Sequence, residues 1–154
     1  IAADILDNKL ELARQFGATH TINSKQEDLV SRVKELTGGL GVDYSFEVIA
    51  SVHTIRQAFE ALAPDGLCTV VGAAPPGSEV PIPTDLLFFE RAIRGVFLGS
   101  TRPHYDVPRL VDLYMAGKIK LDELVSQTMP IEGINQAFDD MKAGKVARTV
   151  ITYS

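Results

Sequence analysis

The chain has 154 residues, 45% of them hydrophobic and 23% charged, with a net charge of −5. That length suits one domain with its own core, and the scattered basic residues count against nucleic acid or an anionic membrane as the main partner. The single cysteine, Cys68, excludes an internal disulfide and fits a reducing, cytoplasmic compartment, and no apolar run approaches the ~18 residues of a membrane span.

In chain order, Leu6, Leu10, Ala13 and Phe16 fall on one helical face behind Asp7, which reads as an N-cap, and Gly17 reads as the stop. "THTIN" is a short strand. Ser24 and Glu27 have the spacing of a capping box, with Leu29, Val30, Val33 and Leu36 as the apolar stripe behind it. Gly38 and Gly39 end that helix. "VDYSFEVI" is a strand with Val42, Tyr44, Phe46 and Val48 on one face. Ile55, Ala58, Phe59 and Leu62 mark the next helix, closed by "PDG". "LCTVVG" is a nearly continuous apolar strand, the pattern of burial on both faces.

The rhythm then changes. "AAPPGSEVPIPTD" is a proline-rich loop, "LLFFERA" a short helix and "IRGVFLG" another strand. Asp106 reads as the cap of a helix running to Ala116, and "SQTMP" is extended. Ile134, Ala137, Phe138 and Met141 mark a last helix ended by Gly144, and "ARTVITY" is a final strand. Strands and helices that alternate at this spacing imply parallel strands with crossover helices, hence an α/β, doubly wound sheet.

In such sheets an acidic residue closing the second strand accepts hydrogen bonds from the adenosine ribose. Asp4 stands where that residue belongs, and a helix-capping acid with no ligand would read the same way. The only glycine cluster, "GGLG" at Gly38 to Gly41, lacks the spacing of a phosphate loop and precedes a strand instead of following one. It reads as a helix stop and turn. His20, His53 and His104 are isolated, with no metal-ligand spacing. Cys68, in mid-strand, reads as a small core residue.

"AADILDNKLELARQFGATHTIN", "GVDYSFEVIAS", "VVGAAPPGSEVPI", "RGVFLGS" and "INQAFDDMKAGKVARTVI" follow one another in that order. Together they resemble the C-terminal part of the zinc-dependent medium-chain alcohol dehydrogenases, near the class III (glutathione-dependent formaldehyde dehydrogenase) branch. Members of that family carry an N-terminal catalytic domain with the zinc ligands, then a first Rossmann strand with its glycine-rich loop, then a second strand ending in aspartate. The resemblance therefore implies a sequence that begins inside the second strand of a larger enzyme. The first strand, central in such a sheet, is expected to be missing, leaving the strands that end at Asp4 and begin at Val42 without their common neighbour.

The resemblance further implies a Rossmann-type NAD-binding part over 1–98 and a segment over 99–154 that packs on the Rossmann and catalytic domains. Asp4 and Lys9 would hold the adenosine ribose, and Ile5 and Ile49 would sandwich the adenine. Val71, Val96 and Leu98 would offer main-chain groups to the nicotinamide carboxamide. Gly72 would leave room for the nicotinamide ribose, and Arg148 would meet the pyrophosphate. Ser51 stands close after "EVIA" where many animal members carry Arg shortly after "EVIG".

The implied activity is hydride transfer between an alcohol, or an aldehyde adduct, and NAD. The resemblance implies zinc ligands in an N-terminal part outside this sequence, so no catalytic or metal-ligating residue is expected within it, and residues 1–154 alone are expected to be inactive. The readings kept beside it are a zinc-free quinone or enoyl reductase of the same superfamily and a non-catalytic fragment that binds nucleotide or dimerises. A homodimer is expected through the apolar edge strand near Ile93 to Leu98.

Overall fold

The alternation read from the sequence is present in a computed structural model of the chain, which describes residues 1–153. The order is β1 (Ala2–Asp4), α1 (Asp7–Gln15), β2 (Thr21–Asn23), α2 (Leu29–Leu36), β3 (Val42–Glu47), α3 (Val52–Glu60), β4 (Leu62–Val70), α4 (Thr84–Leu87), β5 (Ala92–Gly95), α5 (Pro103–Met115), β6 (Val125–Pro130), α6 (Ile134–Lys142) and β7 (Arg148–Thr152). β1 and β2 form a two-stranded sheet, β3-β4-β5 a three-stranded one, and β6-β7 a second two-stranded one. The pairs β3·β4, β4·β5 and β6·β7 are all parallel.

The chain divides into two compact units. The first is Ile1 with 22–101, and the second is 2–21 with 102–154. The first helix thus groups with the C-terminal stretch. Three hydrogen bonds tie α1 to that stretch. Asn8 Nδ2 donates to the Gly144 carbonyl at 3.0 Å, the Lys9 ammonium donates to the Val146 carbonyl, and the Lys120 ammonium donates to the Gln15 carbonyl at 2.7 Å.

In the first unit β4 is the central strand, and its apolar run is buried as expected. Cys68 and Leu62 are fully buried with Phe59 in one cluster, flanked by Val70, Ile82 and Leu86. Ile22, Val33 and Ala61 form a second cluster with Leu29, Leu36 and Val42. β3 and β5 are the edges of this sheet. On β3 the outward alternation leaves Tyr44 and Phe46 exposed, and the residue buried at its end is the acid Glu47. An aspartate inside a bulge explains one departure from the sequence reading. Leu62 starts β4 instead of closing α3, and Pro64-Asp65-Gly66 bulges from that strand, with Asp65 at φ 61°. Gly41 marks where α3 meets β3. Its φ is 102°, and a Cβ there would lie 2.5 Å from the Ala61 carbonyl oxygen, so only glycine fits.

Helix starts also differ from the reading. Leu6, not Asp7, is the N-cap of α1. The capping box at Ser24 and Glu27 does not start α2. Asn23 holds that stretch as a turn, its carbonyl accepting from Gln26 and its side chain from Lys25 at 3.0 Å. Asp28 caps the helix instead and accepts from the Ser31 amide at 2.8 Å. α5 starts at Pro103, three residues before Asp106, whose carboxylate accepts from the Arg102 amide at 2.7 Å. The β5 strand stops at Gly95, short of the expected "IRGVFLG", because Leu98, Gly99 and Ser100 all take positive φ.

In the second unit, α6 and β7 form an open groove of about 260 Å³ lined by Ala137, Phe138, Met141, Val146, Arg148 and Ile151. The expected apolar stripe of α6 is only partly covered. Ala137 is buried, but Phe138 and Met141 are half-exposed, and Asp140 is the other buried residue of the helix. Among the described residues no helix is long and apolar enough to cross a membrane.

Candidate cofactor-binding site

Each residue that the sequence singled out at a strand lies at or just past that strand's carboxyl end, Arg148 apart. Asp4 is the last residue of β1. Its Oδ1 accepts from the Ile5 amide at 2.7 Å and the Leu6 amide at 3.0 Å. The carboxylate therefore does what a capping acid does, and it fixes the turn that presents the half-exposed Ile5. Lys9, in the first turn of α1, reaches the Val146 carbonyl. That contact brings it to the stretch leading into Arg148, the first residue of β7 and an exposed one.

In the other unit, Ile49 lies two residues past the end of β3 and is 64% exposed. Val71 and Gly72 directly follow β4, and Val96 directly follows β5. The Val71 and Gly72 amides donate to the Glu47 carbonyl at 2.8 and 3.2 Å, and the Val96 amide donates to the Val70 carbonyl at 3.1 Å. The amides of Val71, Gly72 and Val96 are thus all engaged within the sheet. Leu98 sits at φ 47°, a left-handed conformation uncommon for a non-glycine residue and concentrated at functional sites.

Glu47 is the residue that sequence reasoning missed. Its side chain is buried, and Oε1 accepts from the Ile49 amide (2.9 Å), the Ala50 amide (2.9 Å) and the Thr54 hydroxyl (2.7 Å). Those bonds hold Ala50 at φ 70°. Gly72 faces the same loop. A Cβ on it would lie 2.5 Å from the Ala50 nitrogen and 2.9 Å from the Ala50 Cα. Its missing side chain is needed for this close approach of two loops. A signal was present in the sequence, since a glutamate closing an apolar strand ahead of a helix with Thr54 in its first turn can be satisfied locally.

The second unit carries the Asp4 carboxylate and the exposed Ile5 at the end of β1, and the first carries the exposed Ile49 and the turns after β4 and β5. Residues 1–116 match the zinc-binding dehydrogenase family. The chain belongs to that family.

Among its zinc-binding dehydrogenase relatives, S-(hydroxymethyl)glutathione dehydrogenase of Paracoccus denitrificans is 36% identical over 99% of this chain and 43% of its own length. Alcohol dehydrogenase class-3 of Myxine glutinosa is 39% identical over 98% of this chain and 41% of its own length. The solved structure of benzyl alcohol dehydrogenase from Acinetobacter calcoaceticus superposes with a TM-score of 0.93, at 39% identity, over 99% of this chain and 42% of that one. The chain therefore spans about two fifths of the length of these relatives.

For a zinc-binding dehydrogenase, the described residues do not fit a metal centre: no three His, Cys, Asp or Glu side chains come together to hold an ion. Cys68 is buried, and desolvation pushes its thiol above the usual range, so it is neither ligand nor nucleophile.

Proposed function

We propose that this chain is the cofactor-holding part of an NAD-dependent alcohol dehydrogenase, which transfers hydride between a small alcohol, or an aldehyde adduct, and NAD. The observation that carries the reading is positional. In α/β sheets ligands bind outside the carboxyl ends of the strands; Asp4 is the last residue of its strand, and Ile49, Val71, Gly72, Val96 and Leu98 follow the ends of theirs. Asp4 and Lys9 are assigned to the adenosine ribose, Ile5 and Ile49 to the adenine, and Arg148 to the pyrophosphate. Val71, Val96 and Leu98 are assigned to the carboxamide, with Gly72 beside the nicotinamide ribose. No zinc step is assigned to any residue of this chain. The buried, unpaired Cys68 supports a cytoplasmic location.

Asp4 sets the cofactor preference in this reading. A carboxylate suits a ribose diol and repels a 2′-phosphate, by about 4 kcal/mol for unit charges ~4 Å apart at an effective dielectric of 20. Titration calorimetry of the full-length protein tests this. NAD is expected to bind more tightly than NADP, and Asp4→Ala to weaken NAD by about ten-fold. Because Asp4 also caps two amides, Asp4→Asn is the cleaner variant. It keeps an acceptor for Ile5 and Leu6 and removes the charge, so it should narrow the gap between the two cofactors with little loss of stability. Equal affinities in the unmutated protein would contradict the reading.

The assembly proposed is a homodimer through the β5 edge. Its four residues are exposed, Phe88 and Phe97 beside it are 89% and 86% exposed, and Leu98 is 73% exposed. Such an edge favours pairing with a second copy across a two-fold axis.

A further inference from the structure

Glu47 ends an otherwise apolar strand with a buried carboxylate, and the chemistry assigned above makes no use of it. We propose that Glu47 is a positioning residue for the dinucleotide, acting through the Ile49–Ala50 loop and the Val71–Gly72 turn; the inference rests on the cofactor reading given above.

Three pieces of the chain meet at this one residue. Oε1 takes the amides of Ile49 and Ala50, both at 2.9 Å, and the Ala50 amide also lies 3.2 Å from Oε2. The same Oε1 takes the hydroxyl of Thr54, in the first turn of α3, at 2.7 Å. The main-chain carbonyl of Glu47 takes the Val71 and Gly72 amides. The end of β3, the start of α3 and the turn after β4 are thereby tied together. Without the carboxylate, nothing in the local sequence favours φ 70° at Ala50, because L residues avoid that region. With it, Ile49 stands out from a fixed loop as an exposed apolar wall, instead of folding down onto the sheet. A wall ordered in advance avoids the entropy loss of ordering on binding.

The geometry also predicts which replacement is tolerated. Oε1 makes the three shortest contacts, and a glutamine retains that oxygen. An alanine leaves two amides and a hydroxyl without their acceptor.

The test uses the full-length protein, titrated with NAD, with amide exchange at Ile49 and Ala50 followed in the absence of ligand. Glu47→Ala is expected to raise the NAD dissociation constant about ten-fold and to speed exchange at both amides. Glu47→Gln should stay within about three-fold of the unmutated protein. Should Glu47→Ala fail to fold, Thr54→Val, which removes one donor and leaves the carboxylate paired with both amides, should still weaken NAD by about three-fold. A folded Glu47→Ala or Thr54→Val protein that binds NAD as the unmutated one does would overturn the inference, even with faster exchange, because the carboxylate would then serve the fold alone. Equal losses in Glu47→Gln and Glu47→Ala would also overturn it, by moving the effect from the acceptor oxygen to the charge. Absence of NAD binding in the unmutated protein would instead overturn the cofactor reading, and the positioning role with it.

Discussion

Ala50 and Gly72 hold each other in place. Ala50 has the backbone of a glycine, and Gly72 has no room for a side chain because Ala50 fills that space. Opposite outcomes are expected from exchanging their residue types one at a time. Ala50→Gly relieves a left-handed conformation that costs an L residue about 1 kcal/mol, so denaturant unfolding should show a gain of that order. Gly72→Ala pushes a methyl group into backbone atoms and should cost about 1–3 kcal/mol. If Gly72→Ala unfolds like the unmutated protein, the two loops do not approach as described. The pair was not readable from sequence, because Ala50 carries no local sign of its φ. Glu47 was hidden for a related reason. A glutamate after Tyr44 and Phe46 reads as the outward residue of an alternating strand, yet here the aromatic residues face out and the acid is buried. Asp4 was legible, because its place at a strand-to-helix turn is local, though the same place suits a cap and a ligand.

At the scale of elements, type and order were legible and boundaries were not. Periodicity found the helices and strands from Leu6 to Thr152 because burial imposes it. Caps were misplaced where two signals compete within a few residues. Ser24 with Glu27 and Asp28 with Ser31 both have capping spacing, and Asn23 decides between them by holding residues 23–26 as a turn. Leu62 was assigned to a helix because it continues the Ile55–Phe59 stripe, but it is fully buried in β4 beside Cys68. Leu62→Ala should therefore cost about 2–5 kcal/mol, the penalty for a cavity in a packed core. A much smaller loss in urea unfolding would place Leu62 at the surface.

Acid should act on α2 and α6. A backbone bond from Ser31 holds the Asp28 carboxyl below its usual range, and bonds from Lys145 and Gln136 do the same for Asp140. A group whose pKa is lower folded than unfolded stabilises fully above its unfolded value, about 3.9, and the contribution is lost as pH falls through the lowered folded value. Stability should decline below about pH 4, and Asp28→Asn with Asp140→Asn should flatten that decline. An unchanged acid limb in thermal melts of the double variant would contradict these pairings.

For the whole molecule, assembly follows from what the fold leaves uncovered. Phe88 and Phe97 point away from the core, so Phe88→Asp and Phe97→Asp change the surface without opening the interior. Val96→Pro is a poorer probe, because the Val96 amide is bonded to Val70 within the sheet. Sedimentation of the full-length protein at low micromolar concentration is expected to give a dimer, and the double aspartate variant a monomer. A double variant that stays dimeric would place the contact elsewhere.

The central claim is that the carboxyl ends of these strands hold a dinucleotide. Hydrogen exchange of the full-length protein with and without NAD tests it most directly. The account predicts added protection confined, within this chain, to the turns beginning at Asp4, Ile49, Val71 and Val96, to the first turn of α1 and to the start of β7 at Arg148. Protection elsewhere in the chain with none at these turns, or no change at all under saturating NAD, would contradict it.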